Sequence, residues 1–553
     1  MRPEYFLRTA RIGFSLWQEE DLPLAIGLWG DFKVTQFFDA RGKLSQAQVN
    51  ERLSLEISTQ KLHGIQYWPI FRLKDGRHLG CCGLRPYDES NNVLEIGFHI
   101  RYRYWGHGYA FEAARGVMRY AFDTIKVSGL FAGHNPKNEG SRHLLEKLGF
   151  RYTHDEFYKP TGLNHPSYML TAKEKTMIPN QRHLFDIPDD VAYLNIAYTA
   201  PLLHAAASAG RDAIQAKQNP WTIAATDFFN SVETVRDLFA GVVGCSSDCV
   251  AITPAVSYGI ALAAKNLPVE KGQSIVVLHD QFPSNVYSWR SLATQKNAVV
   301  KTVPRPVDND WTPALLESIE DHTAVVAVSN CHWTDGTLID LEKIGAQCRS
   351  KGAALVIDGI QSLGAMPFSV ERVQPDFLVA GTHKWLLGPY GYGFCYVDSK
   401  WHDGMGLEEN WMNRADSEDF SRLVDYRDDY QKGARRFDMG ESSSFILSPI
   451  AAAALKQILA WGVENIALTL QTKTDAIADR AKEIGLVIAP RKARAPHLIG
   501  ISKPGGFRKE LPNLLAQEKI FVSVRGESIR IAPHLYTGDE DIERLFSALR
   551  KAL

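Results

Sequence analysis

The sequence has few of the features that mark an exported, membrane-bound or nucleic-acid-binding protein. It has no apolar run approaching the roughly 18 residues of a membrane span, and MRPEYFLRTARIGF leads into no apolar run of signal-peptide length. The net charge is -1, and charged residues make up 23% of the chain. We therefore expect a cytoplasmic protein that binds neither membranes nor nucleic acid.

Cysteine is also scarce, with seven residues in 553. Cys245 and Cys249 flank SSD, but no second Cys/His pair lies nearby to complete four ligands, so we predict no metal site. Cysteines scattered through apolar strands such as GFCYV are typical of reduced, buried thiols in a cytosolic protein.

Chain length and the pattern of periodicity predict several domains. A chain of 553 residues exceeds the size at which one hydrophobic core keeps growing. Short strands and helices alternate up to TAKEKTMIPNQRHLFDIPDD, where the periodicity is lost. We predict a first domain at 1–174, a linker at 175–190, a large domain at 191–445, and a small lobe at 446–553 on which residues near 191–225 also pack.

Beyond the linker, apolar strands recur between amphipathic helices: SIVVLHD, AVVAVSN, ALVIDGI, DFLVAGTHK and GFCYVD. Such strands predict a doubly wound, mostly parallel sheet with helices on both faces. The helical stretch IAAAALKQILAWGVENIALTL and the short strands after it predict a smaller α+β lobe. The fold class is α/β throughout.

Two charged residues stand at the ends of apolar strands. Asp358 directly follows ALVI, and Lys384 follows DFLVAGTH. Ligands of doubly wound sheets bind outside the carboxyl ends of the strands. Pyridoxal phosphate (PLP) chemistry needs such a pair, because the lysine attaches the cofactor covalently and the carboxylate keeps the pyridine nitrogen protonated. The alternative is a structural, buried Lys–Asp ion pair.

Further motifs resemble the class V aminotransferase superfamily, the fold-type I PLP enzymes that include cysteine desulfurases, selenocysteine lyase, kynureninase and isopenicillin N epimerase. The resemblance spans about residues 185 to 550 and is closest to the epimerase, kynureninase and selenocysteine-lyase subgroup. It implies a homodimer. The motifs are TPAVSYGIAL, HDQFPSNVYSW, AVVAVSNCHWTDGTLIDLEKIG, DGIQ, GTHK, RRFDMGESSSF and SIRIAPHLYTGDEDIERL.

The resemblance implies a set of cofactor contacts. Val256 and Ser257 would present backbone N–H groups to the phosphate. Phe282 would stack on the pyridine ring, with a core aromatic as the alternative. Asn330, or else His332, would touch the phenolic oxygen of PLP or the substrate. The other implied PLP contacts are Asp358, Gln361, Thr382 in place of the serine of the desulfurases, His383, and Ser442 or else Ser443 near a partner's phosphate.

Substrate contacts follow from the same resemblance. Arg530 would pair with the substrate α-carboxylate, and Ile529 and Ile531 on either side of it argue against a surface arginine. Asn195 is the further substrate-binding candidate. The stretch SVRGESIR lacks the mobile cysteine of the desulfurases, which disfavours a persulfide-forming enzyme. Transamination, epimerisation and lyase reactions stay open.

In the first domain, LEIGFHIRYRYWGHGYAFEAARGVMRYAF predicts a strand, a glycine-containing loop and a helix. Such a loop lets a ligand approach closely, and a helix N-terminus favours an anion, although a simple turn is the alternative. RYWGHG and NPKNEGSRHLLEKLGF resemble the two acyl-CoA signatures of the GNAT N-acetyltransferases. The implied acyl-CoA contacts are Arg103, Gly106, His107, Gly108, Asn138 and Ser141.

By the same resemblance, Glu95 would be the general base toward the incoming amine, with a solvated strand carboxylate as the alternative. Two hypotheses follow for the whole chain. Either both halves are enzymes, with acetyl-CoA as the cosubstrate of the first, or only the PLP half is catalytic. In the second case the first domain is a CoA-binding or partner-binding module.

Overall fold

The computed structural model describes residues 4–9, 11–40, 42–171 and 175–552. Within it the chain forms two compact units, Met1–Glu174 and Lys175–Leu553. Each unit has its own buried apolar core. In the described ranges, no helix combines the length and the apolar character needed to cross a membrane.

The N-terminal unit is built on one sheet, whose strands are β1 Leu7–Arg8, β2 Ile12–Phe14, β3 Tyr67–Arg72, β4 His78–Asp88, β5 Val93–Ile100, β6 Gly129–Gly133, β7 Arg151–Tyr158 and β8 Leu163–Thr171. The order is β1-β2-β3-β4-β5-β6-β8-β7. Of the neighbouring pairs, β5 and β6 are parallel and the others are antiparallel. A parallel pair needs a crossover connection, which the chain supplies as a helix.

The helices of this unit are α1 Leu22–Trp29, α2 Phe32–Thr35, α3 Gln46–His63, α4 Tyr109–Arg119 and α5 Glu139–Lys147. Helix α4 is the crossover between β5 and β6. Its fully buried residues include Ala113, Ala114 and Val117, so small side chains pack it against the sheet.

The strands of the C-terminal unit are β9 Ala192–Tyr193, β10 Val250–Thr253, β11 Ser274–Leu278, β12 Val299–Val303, β13 Thr323–Ser329, β14 Ala354–Asp358, β15 Phe377–Gly381, β16 Gly393–Val397, β17 Val487–Ile488, β18 Ile499–Ser502, β19 Ile520–Phe521, β20 Ser523–Arg525 and β21 Ser528–Ile531. Its helices are α6 His204–Lys217, α7 Asp227–Val243, α8 Val256–Asn266, α9 Tyr287–Lys296, α10 Trp311–Ser318, α11 Leu341–Lys351, α12 Val370–Val373, α13 Leu447–Trp461, α14 Val463–Glu483, α15 Leu511–Gln517 and α16 Asp539–Ala552.

A seven-stranded sheet with the order β10-β16-β15-β14-β13-β11-β12 forms the large domain of this unit. Strand β16 is antiparallel to both of its neighbours, and the other neighbouring pairs are parallel. Alternate residues of β13 enter two different cores: Val326 and Val328 pack in one, Val325 and Ala327 in the other. The predicted doubly wound, mostly parallel sheet is therefore confirmed.

The small lobe contains the antiparallel sheet β17-β18-β21-β20, packed with α14 and α16 around one core. A separate parallel pair joins β19 of the lobe to β9. The chain just before the large domain thus contributes a strand to the lobe region. Helix α6, which follows, packs on α13, where Gly210 lies against Ile450.

The segment 175–190 is bonded to the C-terminal unit. The Ile178 N–H donates to the Thr469 hydroxyl at 2.9 Å, and the Gln181 N–H donates to the Leu535 carbonyl at 2.9 Å. Arg182 forms an ion pair with Asp541 at 3.1 Å. A segment that the sequence presents as a linker therefore has fixed partners in the structure.

Candidate active site

Three neighbouring parallel strands of the large sheet end at the same edge with polar residues. Asp358, the last residue of β14, lies in register with Ser329, the last residue of β13. On its other side Asp358 pairs with Val379 of β15, and Lys384 lies in the loop after that strand. The carboxyl ends of parallel strands meet at one edge, so these side chains come together.

The Asp358 carboxyl group is buried, with 4% of the residue exposed. It accepts a hydrogen bond from the Ile360 N–H at 3.1 Å. Burial raises the pKa of Asp358 to about 6, while the Ile360 N–H and the charge of Lys384 act in the opposite direction. A carboxylate in this position would be stabilised by a cationic nitrogen placed next to it.

Lys384 is buried as well, and burial lowers the pKa of its amine to about 8. Asp358 opposes this shift, whereas the guanidinium groups of Arg530 and Arg525 increase it. The Lys384 Nζ lies 5.7 Å from the centroid of the Phe282 ring. An amine with this pKa is partly neutral near neutral pH, so it can act as a nucleophile or as a base.

Asp358 and Lys384 share a small cleft without forming an ion pair. Among the described residues, no basic side-chain nitrogen lies within 4.0 Å of the Asp358 carboxylate. Asp358 and Lys384 therefore do not form the structural ion pair that the sequence left open as an alternative. The cleft is lined by Gln281, Phe282, Ser329, Trp333, Asp358, Ile360, Gln361 and Lys384.

Four lining residues, Gln281, Ser329, Trp333 and Ile360, were not predicted from the sequence. The Ser329 Oγ and the Gln281 Nε2 are buried and have no hydrogen-bond partner among the described residues. Ser329 ends a buried strand, so the pattern that indicated Asp358 was also present there. Polar atoms left unpaired in a cleft are available to a ligand.

Phe282 is held at the cleft by Trp333. The two rings meet edge to face, with their centroids 5.3 Å apart. The Trp333 indole N–H donates to the Asp280 carbonyl at 2.6 Å. Phe282 is 37% exposed, so it is not the core aromatic that the sequence left as an alternative.

Gln361 lines the cleft, and both ends of its amide are bonded to protein. Its Nε2 donates to the Ala197 carbonyl, and its Oε1 accepts from the Trp385 indole N–H, each at 3.0 Å. Nearby, the Ala200 N–H donates to the His383 carbonyl at 2.8 Å. The segment that leads from β9 to α6 is therefore fastened to the loop that carries Lys384.

Two predicted contacts have their polar atoms engaged away from the cleft. His332 stacks on Trp311 at 5.2 Å, and its Nε2 lies 3.1 Å from the His279 carbonyl. The Thr382 hydroxyl donates to the Pro389 carbonyl at 2.6 Å. The structure brings neither side chain to the cleft, and both instead hold loops around it.

Three other predicted contacts lie outside the lining of the cleft. Asn330 lines a separate cavity, together with residues of α10 and α11. Ser442 is buried within its own chain, where its carbonyl accepts from a tyrosine hydroxyl. The His383 ring lies 4.7 Å from the exposed Tyr390 ring, and burial lowers the pKa of His383 to about 4.

Val256 and Ser257 are the first two residues of α8, which follows β10. The first N–H groups of a helix have no acceptor within the helix, and the helix dipole favours an anion there. The nearby Thr253 hydroxyl is buried and lacks a partner among the described residues. This turn has the donors that a phosphate group needs.

Arg530 comes from β21 of the small lobe. It is 2% exposed, and its Nη1 donates to the Trp333 carbonyl at 2.9 Å. Burial lowers the pKa of Arg530 to about 9. Asn195 lies beside the same sheet, where its Oδ1 accepts from the Ser523 hydroxyl at 2.7 Å. A buried guanidinium of this kind is suited to bind a carboxylate.

The N-terminal unit has a second candidate site, where β5 and β6 separate. The part of β5 that pairs with β6 is Val93–Glu95, and β5 continues beyond it to Ile100. The Tyr67 hydroxyl donates to the Glu95 Oε1 at 2.9 Å. Burial raises the pKa of Glu95. Glu95 is therefore not the fully solvated strand carboxylate of the alternative hypothesis.

The loop between β5 and α4 contains four of the predicted acyl-CoA contacts. Gly106 and Gly108 have φ angles of 76° and 75°, which favour glycine, and a side chain at Gly106 would point into open space. Arg103 and His107 are exposed. Helix α4 begins directly after this loop, so the N–H groups of its first turn are available there.

Asn138 and Ser141 lie at the start of α5. The Asn138 Oδ1 accepts from the Ser141 N–H at 3.1 Å, so Asn138 caps this helix. The hydrogen bond between Asn138 and Ser141 therefore stabilises the start of α5.

Comparison with protein families agrees with both halves of the chain. Residues 201–544 match the family Aminotransferase class-V, and residues 11–151 match the Acetyltransferase (GNAT) domain. The chain belongs to the class-V aminotransferase family and has a GNAT acetyltransferase domain in front. The family assignment made from the sequence motifs is confirmed.

Individual relatives match one half or the other. The chain is 30% identical over 314 residues to an uncharacterised aminotransferase of Bacillus subtilis, YcbU, covering 56% of this chain and 80% of YcbU. It is 31% identical over 149 residues to the uncharacterised protein YkkB of the same organism, covering 27% of this chain and 86% of YkkB. A solved structure of a C-DES mutant, with glycine covalently linked to its PLP cofactor, shares the fold: the TM-score is 0.61 at 19% identity, covering 68% of this chain and all of that one.

Proposed function

We propose that the C-terminal unit is a PLP-dependent enzyme that transaminates, epimerises or cleaves an amino acid or related amine. The N-terminal unit would be an acetyl-CoA-dependent N-acetyltransferase. One observation carries the first part: a buried carboxylate and a buried amine face one cleft without contacting each other. Cysteines that are scattered along the chain and mostly buried are in keeping with a cytoplasmic protein.

The described residues fit PLP. Lys384 would attach the cofactor, Asp358 would hold its pyridine nitrogen and Phe282 would cover its ring. The first turn of α8 and the Thr253 hydroxyl would hold its phosphate, and the unpaired Ser329 and Gln281 side chains offer further polar contacts. When bound, PLP supplies an electron sink for negative charge at the substrate Cα.

Lys384 also has a second task in this proposal. Lys384 is the amine that lines the cleft, so with a substrate bound there it would be the base toward the substrate Cα. Its lowered pKa lets it remove a proton from the substrate Cα and return one near neutral pH. Product analysis of an amino-acid panel would decide among the three reaction types, because mass spectrometry detects transamination and cleavage, and chiral chromatography detects epimerisation.

Replacing Asp358 by asparagine should weaken activity and stabilise the cofactor-free protein. The folded-state pKa of about 6 lies above the unfolded value of 3.8, so burial of the charged form costs stability once the pH rises through that range. Relative to wild type, the free energy of unfolding of the variant should be higher by up to about 3 kcal/mol above pH 6 and unchanged below pH 4. Turnover should fall at least about 100-fold because the pyridine nitrogen loses its anionic partner. Thermal unfolding against pH, together with product assays, measures both effects.

Asp376→Asn is the matched control. Asp376 is a buried aspartate at the opposite end of the same sheet, where it accepts from the Leu355 N–H at 2.7 Å and forms an ion pair with Lys400. Its substitution should lower stability and leave the absorbance of bound PLP unchanged. If the two variants changed stability and turnover equally, the role proposed for Asp358 would be wrong.

We also propose a homodimer. Large aromatic side chains stand exposed on the C-terminal unit, including Tyr198, Tyr287, Tyr390 and Tyr426 at 61%, 65%, 81% and 92% exposure. Tyr390 contacts His383, next to Lys384, so part of this surface lies beside the cleft. Such residues are enriched at protein interfaces. The role of Ser442 toward a partner's phosphate stays a prediction.

For the N-terminal unit, Gly106→Trp should abolish acetyl-CoA binding. The new side chain would fill the open space over the loop at a position with positive φ. Gly64→Trp is the matched control, because Gly64 has a φ of 71° and equally open surroundings at the end of α3. Both variants carry similar backbone strain, and only the first should lose binding by calorimetry. Unchanged binding by Gly106→Trp would overturn the assignment of this loop.

Thiol release separates the enzyme from the binding module. Acetyl-CoA hydrolysed or transferred in the presence of amines releases free CoA thiol, which Glu95→Gln should slow without weakening acetyl-CoA binding. If the protein bound acetyl-CoA but released no CoA thiol with any amine, the N-terminal unit would be a binding module.

A further inference from the structure

A second arginine lies on the same face of the small-lobe sheet as Arg530. In the antiparallel pair β20 and β21, Ser523 is opposite Arg530, and Arg525 is opposite Ser528. Residues two apart on a strand point to the same face, so Arg525 and Ser523 share the face of Arg530. The Arg525 guanidinium carbon lies 5.9 Å from the centroid of the Trp333 ring, which lines the cleft.

Neither arginine is neutralised by protein. Among the described residues, no carboxylate lies within 4.0 Å of the guanidinium of Arg525 or of Arg530. Each donates instead to a backbone carbonyl: Arg530 to Trp333 at 2.9 Å and Arg525 to Val524 at 2.8 Å. Arg530 is almost fully buried, and Arg525 is half-buried.

The two cations also act on each other and on the cleft. After burial, the charge of Arg525 is the next largest cause that lowers the pKa of Arg530, and both arginines lower the pKa of Lys384. Two like charges brought together away from water are unfavourable unless an anion joins them. One substrate α-carboxylate compensates one guanidinium and leaves the other in excess.

We propose that the amino-acid substrate carries a second anionic group on its side chain, and that Arg525 binds that group while Arg530 binds the α-carboxylate. The proposal rests on the proposed PLP function. The substrate class is therefore amino acids with two anionic groups, such as those with a side-chain carboxylate or sulfinate. Arg525 is the last residue of β20, in the stretch SVRGESIR, which has no cysteine, so this chain presents a cation beside the cleft at that point.

The test compares acidic and neutral amino acids on the PLP-loaded protein. Wild type should show a KM for aspartate, glutamate or cysteine sulfinate at least about 10-fold below that for alanine or norvaline. Arg525→Ala should raise the KM for the acidic substrates at least about 10-fold, with kcat changed little, and leave the neutral substrates within about twofold. Arg525→Lys should restore part of the loss, because it keeps the charge but not the bidentate geometry.

Arg491→Ala serves as the matched control, because it removes an exposed arginine of the same lobe that is paired with Asp475. It should change no KM. A wild type that prefers neutral amino acids, or an Arg525→Ala variant that affects all substrates equally, would overturn the proposal while bound PLP still colours the protein. If the protein did not bind PLP at all, the proposed function itself would be wrong.

A second measurement is independent of turnover. Calorimetric titration of the cofactor-free protein with succinate or glutarate should show tighter binding than titration with butyrate, and Arg525→Ala should remove that difference. Equal affinity of wild type for the dicarboxylates and butyrate would contradict the assignment of Arg525, whatever the result with PLP.

Discussion

Replacing Lys384 by alanine is expected to abolish covalent PLP attachment and to lower turnover at least about 1,000-fold. The same amine would hold the cofactor and move the proton at the substrate Cα, so its loss removes both steps. Lys384 is buried, has a pKa of about 8 and faces Asp358 across the cleft. Visible absorbance after addition of PLP, and mass spectrometry after borohydride reduction, measure the attachment.

Lys473→Ala is the control for this experiment. Lys473 is a partly buried lysine of the same unit whose burial also lowers its pKa, but it donates to the Thr537 carbonyl away from the cleft. Its loss should leave attachment and turnover intact. If Lys384→Ala kept a reducible link to PLP, or if wild type stayed colourless with added PLP, the proposed function would be wrong.

The largest loss of stability is expected on replacing Asp438, which is buried together with Arg236. Two hydrogen bonds join the pair, at 2.7 and 3.2 Å, and Asp438 also accepts from the Ile252 N–H of β10 at 2.7 Å. Asp438→Ala would leave the Arg236 guanidinium, 1% exposed, without this partner. We expect a loss of about 3 kcal/mol in the free energy of unfolding, measured by urea titration.

Glu233→Ala tests whether this effect comes from burial. Glu233 also pairs with Arg236, at 3.0 Å, but its side chain is 41% exposed. Exposed pairs contribute little, so the variant should lose no more than about 1 kcal/mol. Similar losses in the two variants would contradict the argument. Neither residue lies in the cleft, so bound PLP should keep its absorbance in both.

The sequence was sufficient to predict the sheet and the two central groups of the site. Short apolar runs such as ALVI and DFLVAG, recurring between amphipathic helices, indicate interior strands, and parallel strands bring their carboxyl ends together. The positions of Asp358 and Lys384 follow from those two facts alone. The same argument applies to Ser329, but a serine at the end of a strand is a weaker indication of a ligand site than a charged residue.

Other parts of the site depend on partners that are distant in sequence. His332 stands in a motif that suggested a ligand contact, but Trp311 and the His279 carbonyl engage its ring. Thr382 lies in the loop that carries Lys384, but its hydroxyl donates to the Pro389 carbonyl. Local sequence does not indicate which neighbour satisfies a buried polar group. The pairing of Arg525 with Arg530 likewise depends on strand register.

The segment between β9 and α6 connects the small lobe to the loop that carries Lys384. At one end, β9 pairs with β19, and at the other the Ala200 N–H holds the His383 carbonyl. A rotation of the lobe that carries Arg530 toward the cleft would pull on the backbone next to Lys384. Capture of a carboxylate and alignment of the reactive amine would then be one cooperative event, whose rate depends on the strength of a few main-chain hydrogen bonds.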